Sequence, residues 1–350
     1  MKMKKDVHYP AIDGLRGVFA LAVLIAHINM IWLPHVHIVM DIFFTISAFL
    51  ITVTLIKNIE KNQTIALLTF TKRRLLRLYP ALIFCVVSYT LAAYFLVDNF
   101  QLIIKDAFLT LVYASNFSKL SNYVYPHFFG HTWSLAIEEH FYILWPSFLS
   151  LLLLNKSAWK YVAHILCLIM LTSIVWRLYL VSSSAEWSRL YYASDTRIDA
   201  FVMGGLLAFM QQKINAAYEK SVLFKTLLII LSLCMLIALY FFDPKVTYYF
   251  IWQQPLVLLL ACALIFITTR NDKNPIERLF NLRFLQWFGI RCYGIYLWHW
   301  PMIWILLSTT ELSKNTLLII VVPFTLLMAW FSYKYIEEPI LRRRPKMPNF

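Results

Sequence analysis

The sequence predicts an all-α, polytopic membrane protein of about ten transmembrane helices. Three observations carry that expectation. Hydrophobic residues make up 61% of the 350 positions and charged residues only 14%, far from the balance of a soluble domain. Apolar runs recur evenly, at about 12–32, 38–56, 78–97, 140–155, 160–181, 198–211, 222–242, 247–268, 284–308 and 315–335. Most approach the ~20 residues that cross a hydrocarbon layer. Basic residues, finally, alternate between the segments that join the runs. With Lys2, Lys4 and Lys5 inside, the other inside segments collect Lys57 to Arg77, Lys156 and Lys160, Lys213 to Lys225, Arg270 to Arg283, and Arg342 to Lys346. The outside loops hold Lys105, Lys119, Arg189, Arg197, Lys245 and Lys314. This bias places both termini in the cytoplasm. It also explains the net charge of +14 without a nucleic-acid partner.

No repeat, low-complexity tract or soluble appendage interrupts the pattern, so residues 1–350 form one integral membrane domain with a core of about 9–340. No small-residue cleavage site follows the first run, which is expected to stay as a span that directs insertion. Cys85, Cys167, Cys234, Cys262 and Cys292 all fall within apolar runs and form no CxxC or Cys/His cluster. Buried, unpaired thiols and no metal site are expected.

The first run carries Arg16 and His27, eleven residues apart. On a helix that is three turns plus about 20°, so the two side chains share one stripe roughly 16 Å apart. Ionisable groups inside a span are costly and by default mark a pathway or a site. The second run opens with Asp41. Ahead of the third, TFTKRRLLRLYP (69–80) spaces Arg73, Arg74 and Arg77 so that they can present guanidiniums to one target. Guanidinium forks suit phosphate oxygens. Topological anchoring or anionic lipid heads would use them equally well. The stretch 101–114 is too short and charged to span, and fits a re-entrant or interfacial helix.

The fourth span is entered through GHTWSLAIEEHFYILWP, with His131, Trp133, Glu138, Glu139 and His140. Adjacent carboxylates point about 100° apart on a helix, so at most one of this pair is expected to face a given site. An interfacial belt explains the aromatics, but not the acids and histidines. At the sixth span, YYASDTRIDAFVMGG sets Asp195, Arg197 and Asp199 at the entrance. Acids there favour the helix dipole and can pair with Arg197. Gly204 and Gly205 permit close packing or a kink. The ninth run, RCYGIYLWHWPMIW, holds His299 among aromatics, where a hydrogen bond to a neighbouring helix would be enough to explain it. The last element, YIEEPILRRR, looks like an inside helix end with a basic tail.

Together these strings resemble the acyltransferase-3 family of integral membrane acyltransferases. The matching segments are AIDGLRGVFALAVLIAH, with its Arg-x10-His, MDIFFTISAFL, RRLLRLYP, HTWSLAIEEHFYILWP, RIDAFVMGG and YGIYLWHWP. They stand in the family's order over about residues 9–340. Ala48 replaces a common glycine and His140 a common glutamine; the second change bears on the acceptor site. Members with an added extracellular esterase-like domain are longer, and a short form without it is expected here.

The resemblance implies transfer of an acyl group, acetyl in the first instance, from cytoplasmic acyl-CoA to a hydroxyl of a surface carbohydrate or lipid-linked glycan. No permanently bound cofactor or metal is expected; the partners are acyl-CoA, the glycan acceptor and membrane lipids. Arg16, Arg73, Arg74 and Arg77 would hold the coenzyme A phosphates at the inner face. Towards the outer face, neutral His27 would take the acceptor hydroxyl's proton, with Asp41 orienting it and Glu138 as the alternative orienter. A covalent acyl-His27 intermediate is the other route. Trp133, Glu139, Arg197 and His299 would bind substrate. A secondary transporter or acyl-group permease would share the span count and midplane charges, but not an inner arginine cluster matched to an outer histidine.

Overall fold

A computed structural model describes residues 8–62, 67–97, 100–120, 128–153, 159–243, 245, 247–270, 272 and 274–343. Lys2, Lys4, Lys5, Lys156, Lys273, Arg344 and Lys346 of the charge pattern lie outside the described residues. Every regular element among the described residues is helical: α1 Pro10–Ile28, α2 Val39–Asn62, α3 Leu67–Leu96, α4 Phe100–Leu111, α5 Ser115–Leu120, α6 Trp133–Leu153, α7 Trp159–Ser182 and α8 Trp187–Tyr192. The second half contains α9 Ile198–Lys220, α10 Val222–Phe241, α11 Gln253–Thr269, α12 Pro275–Phe280, α13 Arg283–Ile290, α14 Cys292–Thr309, α15 Lys314–Ser332 and α16 Glu338–Arg343. A π-helical turn, Tyr333–Glu337, joins the last two.

All ten apolar runs become helix, although not as ten uninterrupted spans. Among the described residues, five helical stretches are long and apolar enough to cross a membrane: Pro10–Ile28, Val36–Lys61, Leu67–Leu96, Trp159–Ser182 and Lys314–Arg343. A sixth is the pair α9 and α10, which meet at Ser221 with a bend of 118°. Helix therefore runs through most of the expected inside loop at Lys213, and the Ser221 hydroxyl accepts the Phe224 N–H to start the next helix. The ninth run divides at Arg291 into α13 and α14. Gly289 lets α13 lie directly against α1, since a Cβ at this position would strike the Asp13 carbonyl.

The helix directions follow from paired contacts. Tyr293 OH donates to Leu78 O, Cys85 Sγ to Leu297 O and Tyr89 OH to Trp298 O, so α3 and α14 run the same way. Ser47 meets Glu138 and Thr52 meets Trp145, so α2 and α6 are likewise parallel. Arg74 of α3 reaches Glu139 while Ser134 of α6 reaches Tyr296 of α14, which makes the two pairs antiparallel to each other. Alternating spans require this arrangement. Gly204 brings α9 against α2, since a Cβ there would meet the Thr45 carbonyl; the glycine pair packs helices and makes no kink. The short α4 turns Ile103, Asp106, Ala107 and Thr110 inward at helical spacing. Its Asp106 accepts the Phe129 N–H at 2.6 Å and pins the approach to α6. Of the five thiols, all are unpaired, but Cys167 and Cys234 are exposed rather than buried.

Candidate active site

Helices α1, α2, α3, α6 and α14 enclose a cavity of about 320 Å³. One end is cationic. Arg73, Arg74 and Arg77 stand on consecutive turns near the start of α3, and Arg16 of α1 joins them in the wall. Arg74 is fixed by α6: its Nε and Nη2 donate to Glu139 Oε1 at 2.9 and 2.8 Å, and its guanidinium lies over the Tyr142 ring. Glu138 Oε2 is 3.8 Å from the same Nη2, and its other oxygen accepts the Ser47 hydroxyl at 2.9 Å. Glu138 lines the cavity and Glu139 does not, as their angular separation predicts. With Glu139 committed to Arg74, the lining holds four guanidiniums against one carboxylate. Such a surface suits an anion with several oxygens. Towards Val23 the wall turns apolar, with Ala20, Phe43 and Phe44.

Behind the other end, outside the lining, stands a group of histidines. His27 Nδ1 lies 2.8 Å from His299 Nε2, joining α1 to α14. His299 Nδ1 lies 3.0 Å from the carbonyl of Ile295 in its own helix. The Trp300 ring meets His27 edge-on at 4.8 Å, and the His131 ring stands 5.4 Å from that of His299. Tyr296 connects this cluster to the cavity: its hydroxyl lies 2.7 Å from Ser134 Oγ and donates to the His131 carbonyl. Tyr296, Ser134 and Val23 (one turn before His27) all line the cavity, whereas His27 itself lies beyond that layer.

Several residues fall elsewhere than the sequence suggests. Asp41 does not touch His27: one of its oxygens accepts Arg197 Nη1 at 2.7 Å and the other the Tyr249 hydroxyl at 2.6 Å, all fully buried. Glu138, the alternative orienter, is held by Ser47 and faces Arg74. His299 takes the place expected of both. Arg197 pairs with neither neighbouring acid, because Asp199 goes to Arg177 of α7 and Asp195 to Arg189 of α8. Trp133 packs among Phe44, Tyr191 and Tyr192, outside the cavity lining. His140 Nδ1 sits 3.2 Å from Ser194 Oγ, at a separate groove. The inner and outer groups are also less separated than expected, since Arg74 meets Glu138 and Glu139 directly.

Sequence reasoning missed Ser47, Ser134, Tyr142, Tyr296 and Cys292 as lining residues. A signal existed for two of them. Tyr142 stands four residues after Glu138 and Tyr296 three before His299, both on the same helical face. Ser47, inside an apolar run, and Ser134, at the entrance to the fourth span, carry no such mark.

The family model describing the acyltransferase domain of acyltransferase-3 proteins matches residues 9–334. The chain is 32% identical to the peptidoglycan O-acetyltransferase OatA of Listeria monocytogenes, over 97% of its own length and 57% of that protein's. It is 30% identical to the O-acetyltransferase OatA of Staphylococcus aureus (strain NCTC 8325 / PS 47), over 98% of its own length and 58% of the relative's. The chain thus spans somewhat under three-fifths of the curated relatives it matches. No solved structure matches it. With a family match running from the first described span almost to the last, and carrying both Arg16 and His27, the chain belongs to the acyltransferase-3 family.

Proposed function

We infer that this chain is a multi-pass O-acyltransferase that moves an acyl group, acetyl in the first instance, from acyl-CoA to a hydroxyl of a cell-wall or other surface glycan. The observation that carries this is the single cavity with guanidiniums at one end and the His27–His299 pair just behind the other. Arg16, Arg73, Arg74 and Arg77 receive the phosphates of the donor. The apolar wall between Phe44 and Val23 accepts its uncharged arm. The acceptor hydroxyl loses its proton to His27 as its oxygen attacks the thioester carbonyl; the C–S bond breaks, and the departing thiolate takes up that proton. The glycan acceptor follows from the relatives' printed activity, O-acetylation of peptidoglycan in the Listeria protein. The parallel course of α3 and α14, antiparallel to α2 and α6, suits alternating spans in a cell membrane, and the basic bias of the sequence favours both termini and the arginines at the cytoplasmic face.

The arginine end supplies the test. Converting Arg73, Arg74 and Arg77 together to glutamine should raise the KM for acyl-CoA at least about tenfold, as expected when charge-assisted bonds to phosphate are lost. The KM for a peptidoglycan-fragment acceptor should stay within about twofold of wild type. An unchanged donor KM would return the cluster to anchoring or lipid-head contacts.

A further inference from the structure

The geometry assigns His299 as a positioning residue that fixes which nitrogen of His27 does the chemistry, an inference that rests on the acyl-transfer reading above. Ile295 O, 3.0 Å from His299 Nδ1, has only lone pairs to offer, so this nitrogen carries the proton and donates. A neutral imidazole protonated at Nδ1 has a bare Nε2. His299 Nε2 is therefore an acceptor, and the group 2.8 Å away, His27 Nδ1, must be the donor. The proton on His27 thus sits on Nδ1, and Nε2 keeps its lone pair. Two hydrogen bonds in series, Ile295 O to His299 to His27, set the tautomer of the residue at the end. Ring geometry agrees: the planes are 4° apart, and the facing nitrogens are far closer than the 5.1 Å between centroids, so the rings meet edge to edge.

The far end of the chain is rigid. Pro301 has no N–H to offer the Leu297 carbonyl, and that carbonyl instead takes the Cys85 thiol of α3 at 3.5 Å. One residue on, the Trp298 carbonyl accepts Tyr89 OH at 2.6 Å. These bonds clamp the turn that presents His299. Neither acid expected from the sequence competes for the task among the described residues, because Asp41 is bonded to Arg197 and Tyr249 and Glu138 faces Ser47 and Arg74. The arrangement performs the duty of an acid behind a catalytic histidine with a neutral partner. When His27 gains the acceptor's proton at Nε2, its Nδ1–H still donates to His299, so the hydrogen bond persists through the step.

The test uses the full chain in lipid vesicles with histidine labelled by nitrogen-15, and the His27 signal identified by its loss in His27→Ala. At neutral pH the wild type should show His27 protonated at Nδ1 and bare at Nε2; a signal from the opposite tautomer would overturn the assignment. His299→Phe, which removes the acceptor, should let the opposite tautomer appear. It should also lower kcat by about 10²–10⁴-fold, the scale of a lost general base, with the KM for acetyl-CoA within about twofold. His299→Gln places an oxygen acceptor where Nε2 stood. It should hold the wild-type tautomer and recover at least about tenfold of the rate lost in His299→Phe, on that same scale. A His299→Phe variant with wild-type tautomer and rate would overturn the assignment as well. The expected tautomers in a chain that transfers no acyl group at all would support the relay and sink the acyl-transfer reading instead.

Discussion

Replacing His27 by alanine should lower kcat for acyl transfer by at least about 10²-fold, within the 10²–10⁴ typical of a positioned base. The KM for acetyl-CoA should change little. The two halves of this expectation come from separate places in the fold: the imidazole is bonded to His299 beyond the Tyr296–Ser134 layer, while the guanidiniums lie at the other end of the cavity. Steady-state transfer from labelled acetyl-CoA to a peptidoglycan fragment, measured in vesicles containing equal amounts of folded protein, decides it. Activity within about tenfold of wild type would remove His27 from the chemistry, as base or as nucleophile.

Asp41→Ala is expected to fail differently. Its carboxylate is the fully buried partner of Arg197, whose guanidinium also packs against Tyr191 and donates to the Tyr191 carbonyl at 3.1 Å. Removing one member of a buried pair leaves an uncompensated charge, at a cost of about 3–5 kcal/mol. The result should be a large loss of folded protein on size-exclusion chromatography in mild detergent. The double variant Asp41→Leu with Arg197→Met should restore much of that yield, because an apolar pair of similar volume removes the buried charge altogether. If Asp41→Ala instead folds at wild-type yield and loses turnover as His27→Ala does, Asp41 serves the histidine after all.

The contrast between these two residues shows what was legible in the chain. Helical periodicity and the Arg-x10-His spacing located α1 and its stripe, and Arg73, Arg74 and Arg77 were grouped by their turns alone. Those are local relations, fixed by 3.6 residues per turn. Partners across helices are not local. Arg197 has acids two residues away on either side, yet its bond is to Asp41, 156 positions earlier in the chain. His27 has Asp41 just across a short loop, yet its partner is His299, 272 positions later. Nearness in sequence misled in both cases, because bundle packing decides which faces meet. The split of the ninth run was invisible for a related reason: Arg283–Ile290 packs on α1 with Gly289 against Asp13, a contact between distant segments that no local pattern marks. Tyr296 and Ser134, which line the cavity in front of His27, were passed over, the first inside an apolar run and the second in the polar entrance to the fourth span.

Donor and acceptor are expected to meet at one site from opposite faces, the donor entering at the arginine end. Membrane vesicles of both orientations, prepared from cells making the protein and holding a peptidoglycan fragment on the side away from the added reagent, test it with acetyl-CoA labelled in its acetyl group. In everted vesicles, where the cytoplasmic face is outermost, the added donor should label the enclosed fragment and release free CoA outside, and His27→Ala should abolish both. Right-side-out vesicles should do neither. Labelling in right-side-out vesicles alone, or passage of solute without release of CoA, would contradict the account.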